Sequence, residues 1–133
     1  MAMAKLKIYR IDEFNFVNKL TSNPKICLEN SFSYNVKYGQ NGICKGQMSV
    51  TVKDKENPEG FSLSLVCGAV FEIDQNVGKE RIHVETFRMI FAHAKASIAA
   101  FTANAGIPAI MIPEPDIESQ NIYRFDPSSI KPN

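Results

Sequence analysis

His83 and His93 are the two imidazoles of the sequence, and acid–base or metal chemistry near neutral pH would run through them. Neither stands in an HExxH or HxH spacing or in the context of a catalytic triad. His93 lies between Ala92 and Ala94, beside the apolar stripe of a predicted helix, so packing or surface roles are expected. A small α+β enzyme using His93 or His83 as acid or base is the lowest-ranked alternative. Cys27, Cys44 and Cys67 are odd in number, widely spaced, and form neither a CxxC pair nor a Cys/His ligand set. They are expected to be reduced, mostly buried thiols that behave as small apolar groups. The carboxylates Asp12, Glu13, Glu72, Asp74, Glu114, Asp116 and Glu118 have no metal-loop spacing. Gly39, Gly42 and Gly46 fit neither a phosphate-binding loop nor a dinucleotide fingerprint and fall in a predicted hairpin. No catalytic residue, metal site or cofactor is predicted.

Phe14, Phe16, Phe32, Tyr34 and Tyr38 could stack nucleic-acid bases, but their strands lack basic interleaving and a βαββαβ order. Core packing is expected of them instead. Fifteen basic residues against fourteen acidic give a net charge of +1, too little field to hold nucleic acid or anionic lipid. Partners must be recognised by local surface.

The elements that would position these groups emerge from periodicity. The 133 residues suit one domain, with 127–133 expected as a frayed tail. Leu6, Ile8, Phe14 and Phe16 share one parity and Lys5, Lys7 and Glu13 the other, which predicts a first strand with a polar interruption. Leu28, Phe32, Tyr34, Val36 and Tyr38 line one face of a second strand. Asn41-Gly42 predicts a tight hairpin into a third, where Met48, Val50 and Val52 alternate with Ser49, Thr51 and Lys53. Asp54, Asn57, Pro58 and Gly60 mark the next turn. From Phe61 to Ile73 the odd positions are apolar, and Val66 and Val70 make the second face partly apolar too, which suits contact with another subunit and equally suits scattered surface apolar residues.

After Gly78 the period lengthens. Phe87, Ile90, Phe91, Ala94, Ile98, Phe101 and Ala105 define one stripe of a long helix that Gly106 and Pro108 end. The segment from Ile107 to Pro115 is apolar but rich in proline, so an extended loop is predicted, packed on its own sheet or lining a groove. Asp116 could cap a short last helix carrying Ile117, Tyr123 and Phe125. Residues 1–10 lack the apolar core of a secretory signal and no run is long enough to span a bilayer, so a soluble cytoplasmic protein is expected.

Within this frame the sequence resembles the bacterial export chaperone SecB. The run Gly68 to Ile73 is similar to that family's Gly-Gly-Ile-Phe-x-Ile, and Ile90 to Lys95 resembles its Leu-Phe-Pro-Tyr-Ala-Arg at the start of the long helix. Ala105, Gly106, Ile107 and Pro108, followed by Ile110, Ile112 and Pro113, are similar to its helix-connecting loop; Ile8, Tyr9 and Asp12 resemble an Ile-Tyr-x-x-Asp opening. The resemblance implies an α+β fold with a four-stranded antiparallel sheet, one long and one short helix, assembled as a homodimer or homotetramer. It implies an ATP-independent holdase that binds unfolded or nonnative polypeptides, including preproteins for export, in hydrophobic grooves. Phe61, Phe71, Ile107, Ile110 and Ile112 become client-groove candidates, and Leu63, Leu65 and Cys67 match positions of subunit association. The SecA motor is an implied partner, yet that docking relies on acidic charge, and this chain is near neutral. Ala92 also stands where the family has proline. A SecB-like module dedicated to one partner, such as an antitoxin, is equally compatible with these residues.

Overall fold

The computed structural model describes residues 3–20 and 27–115. Four strands, β1 (Ala4–Asn18), β2 (Leu28–Tyr38), β3 (Ile43–Asp54) and β4 (Phe61–Ile73), precede one helix, α1 (Lys79–Asn104). The strands form a single antiparallel sheet in the order β1-β4-β3-β2, which places β1 and β2 at its edges. Consecutive pairing of β2, β3 and β4 is the natural outcome of the two short turns between them. The first turn has Asn41 at φ 60° and Gly42 at φ 72°, a left-handed pair at the centre of the Gln40–Ile43 turn, which the Ile43 amide closes on the Gln40 carbonyl.

Alternation sorts the two faces of the sheet. Tyr34, Cys44, Met48, Val50, Val52, Leu63, Leu65, Cys67, Ala69 and Phe71 are buried beneath α1, whose Ile82, Phe87, Ile90, Phe91, Ala94 and Ile98 complete the core. Phe91 meets Phe32 of β2 with ring centroids 5.7 Å apart, while Phe101 meets Phe14 of β1 at 4.3 Å, so the helix crosses from one sheet edge to the other. Truncating a ring such as Phe91 to alanine would cost about 3–5 kcal/mol.

Polar pins supplement this packing. The Tyr34 hydroxyl donates to Thr86 Oγ1 at 2.6 Å, and Thr86 donates to the Ile82 carbonyl of its own helix at 2.8 Å. Gly46 makes room for this reach, because a Cβ there would lie 2.7 Å from the Tyr34 hydroxyl. Asp54, buried at the end of β3, accepts the Cys27 and Glu56 amides and fixes the turn. The helix ends in a Schellman arrangement: Ile107 N–H donates to the Thr102 carbonyl, Gly106 N–H to that of Ala103, with Gly106 at φ 87°.

β1 departs from the alternation expected of it. Two register shifts, between Leu6 and Ile8 and between Ile11 and Glu13, each insert one residue and reverse the facing of the residues beyond the insertion. Ile8 therefore points away from the helix and is 56% exposed, whereas Tyr9 turns inward to meet Ser97 and His93. The second shift returns Phe14 and Phe16 to the helix face. The strand is also continuous through its polar residues, since its ladder with β4 runs from Ala4 to Asn18. The helix begins at Lys79, which puts Ala92 in its interior. A proline there would break the hydrogen-bond ladder; alanine continues it. The predicted last helix and the tail lie outside the described residues.

Candidate functional site

The polar groups singled out in the sequence do not converge among the described residues, outside which Asp116 and Glu118 lie. His83 and His93 sit ten residues apart on α1, about 15 Å along its axis, and no acid–base pair links them. His83 is buried with its ring against Tyr34, while His93 is exposed, its Nδ1 3.1 Å from the Met89 carbonyl and its ring against Tyr9. Burial pushes the Cys44 thiol up to about 11 and raises that of Cys67, so both are protonated at neutral pH and are poor nucleophiles. Cys27, expected with them in the interior, is exposed instead, because it precedes β2 at the sheet margin. No group of three or more His, Cys, Asp or Glu residues among those described could hold a metal.

What converges is apolar surface. β1 pairs on one side only among the described residues, and its regular stretch from Glu13 to Asn18 carries the half-buried Phe14 and Phe16 on the helix side. Phe14 packs on Phe101 near the end of α1, and Phe16 meets Phe61 edge-on at 5.7 Å. Phe101 leads directly into the connector, where Ile107 and Ile110 are also half-buried and Met111 is 63% exposed. Thr102 Oγ1 accepts the Ile110 amide at 2.9 Å, and Ile112 is sealed into the core at 1% exposure. Arg88 and Glu114, 4.0 Å apart, show that the connector runs back beside α1. The result is an apolar margin of β1, helix end and connector beside a row of strand amides and carbonyls that no other described strand pairs.

The sequence-predicted groove residues divide between core and surface. Ile107 and Ile110 stand on the margin; Phe61, Phe71 and Ile112 are buried. Phe61 and Phe71 also stand at opposite ends of β4, about 33 Å apart. Leu63, Leu65 and Cys67 are core residues under α1 and have no surface left to touch a second copy. The margin residues that sequence reasoning passed over are Phe14, Phe16, Phe101 and Met111. The signal for Met111 was available: it stands between Ile110 and Ile112, so if one neighbour is buried in an extended chain, it faces outward.

No protein-family model and no curated protein sequence matches the chain. Among solved structures, it is similar to a SecB-like chaperone of Mycobacterium tuberculosis, determined in complex with a peptide from an antitoxin. The two superpose with a TM-score of 0.63 at 13% sequence identity, over 84% of this chain and 86% of that one. The chain has a SecB-like fold. The SecB-like arrangement here comprises the four-stranded antiparallel sheet and one long helix. No helix among the described residues is long and apolar enough to cross a membrane.

Proposed function

We propose that this chain is a non-enzymatic, ATP-independent holdase that binds nonnative polypeptides in the cytoplasm along the margin formed by Phe14, Phe16, Phe101, Ile107, Ile110 and Met111. The observation that carries this reading is the placement of that partly exposed apolar strip beside a strand edge that is unpaired among the described residues. An extended client segment can pair its main chain with β1 and bury alternate side chains on the strip. Apolar burial is non-directional and strand pairing uses groups every residue has, so neither contact demands a client sequence. Assembly into a homodimer or homotetramer belongs to the same reading. Because Leu63, Leu65 and Cys67 lie under α1, they shape the surfaces that meet a second copy and do not touch it themselves.

Light scattering of a heat-aggregating client tests the reading. Stoichiometric protein is expected to suppress aggregation without nucleotide, and unchanged aggregation would overturn it. A net charge of +1 provides little acidic field for docking on SecA.

A second reading is a module devoted to one partner. It is favoured by the SecB-like neighbour from Mycobacterium tuberculosis, which was solved with an antitoxin peptide. Pull-downs separate the two: many unfolded chains support the general holdase, one recurrent partner supports the dedicated module.

A further inference from the structure

We propose that the sheet face opposite α1 carries a second docking site, one that takes a short acidic segment of a partner polypeptide with an apolar residue beside its carboxylates. The four strands align a row across this face: Ile8 pairs with Val70, Val70 with Lys45, and Lys45 with Lys37. The next row is Arg10, Gly68, Gln47 and Asn35. Val70, Lys45 and Lys37 of the first row and all four residues of the second line a depression of about 170 Å³ with Asp12; Ile8 stands just outside it.

The Lys37–Lys45 opposition is the decisive feature. Like charges directly across an antiparallel pair repel and destabilise it. The same two strands show the compensated alternative at their other end, where Glu29 faces Lys53 at 4.0 Å. No ion pair among the described residues involves Lys37 or Lys45, so an anion placed between them would relieve their repulsion. Gly68 supplies the second observation. It lies between Arg10 and Gln47, and a Cβ there would meet only ordinary contacts, 3.5 Å from Asp12 Oδ2 and 3.6 Å from Arg10 Nη2. Packing does not forbid a side chain at this position, yet the floor of the depression is open.

The surroundings favour a peptide over a nucleic acid. Three cations, Arg10, Lys37 and Lys45, face one carboxylate, Asp12, which already accepts from Arg10 Nε at 2.7 Å. That is enough to hold one or two carboxylates but gives no basic stripe to track a phosphate backbone. At the other end of the same row, Ile8 and Val70 offer an apolar step. Four strands about 4.8 Å apart make the row about 14 Å long, the span of roughly four residues of extended chain.

The test is an NMR titration of the full chain with a soluble synthetic peptide in which glutamates flank one leucine, against the same peptide with glutamine for glutamate. Amides of Lys37, Lys45, Gln47 and Val70 are expected to shift with the acidic peptide, and raised salt to weaken it. Both Lys37→Gln/Lys45→Gln and Gly68→Leu should weaken binding roughly tenfold or more. The double lysine variant should resist urea at least as well as the parent, since it removes a repulsion, and should hold unfolded clients unchanged. Equal binding of the glutamine peptide, insensitivity to both variants, or stronger shifts of these amides by inorganic phosphate or a single-stranded oligonucleotide would overturn the proposal.

Discussion

Thr102 and Ile110 are joined by a hydrogen bond that fixes the connector to the helix: the Ile110 amide donates to Thr102 Oγ1 at 2.9 Å, and that hydroxyl donates to the Ile98 carbonyl at 2.8 Å. The hydroxyl thus satisfies a connector amide without leaving its own helix. Thr86 does the same one helix-half earlier for the Tyr34 hydroxyl. The two buried threonines hold β2 and the connector to opposite ends of α1.

Thr102→Val keeps the shape and removes the acceptor, leaving the Ile110 amide without this partner. We expect a loss of about 1–2 kcal/mol in urea unfolding. Hydrogen exchange at Ile110 and Ile112 should accelerate, and Thr102→Ser should restore most of the protection. Unchanged exchange in the valine variant would show that packing alone places the connector.

Gly46→Ala sets a methyl group 2.7 Å from the Tyr34 hydroxyl and forces that ring off Thr86. Overpacking of this kind costs about 1–3 kcal/mol. The urea midpoint is expected to fall, and Tyr34→Phe in the same background should recover part of the loss by removing the clashing oxygen.

How much of this is legible in the sequence differs between elements. The bounds of β4, the Asn41-Gly42 hairpin and the Gly106 helix end are set by local patterns that packing here reinforces. The facing of β1 is not, because each bulge reverses parity and leaves no mark in residue type. Ile8 and Tyr9 exchange faces as a result. The site was visible as composition and hidden as exposure: Ile107, Ile110 and Ile112 are alike in sequence, but only the course of the connector decides that Ile112 is the one sealed in the core. Likewise the opposition of Lys37 and Lys45 depends on a register that the hairpin sets.

Burial raises the Cys44 thiol from 9.0 to about 11, and it also raises Tyr9, Tyr34 and Tyr38. The folded chain therefore holds the Cys44 proton more tightly than the unfolded chain does. The linked stability is complete below about pH 9 and is lost as pH rises through about 11. Urea midpoints should decline across that window, and Cys44→Ala should make the decline shallower. At neutral pH an alkylating reagent should label exposed Cys27 in the native protein while Cys44 and Cys67 resist.

Met111→Ser changes a side chain that is 63% exposed, so stability should move by no more than about 0.5 kcal/mol. Combined with Phe14→Ser, it is expected to weaken client holding markedly, whereas the parent stability should fall only by the partial burial of Phe14. Full holding by a folded double variant would remove the margin from the account.

The most direct measurement is hydrogen exchange of the protein with and without a permanently unfolded polypeptide, such as a reduced and alkylated client. Client binding should protect the β1 amides from Glu13 to Asn18 and those of Ile110 and Met111, leaving the ladder between β2 and β3 unchanged. Absence of protection on β1 and the connector at saturating client would contradict the account.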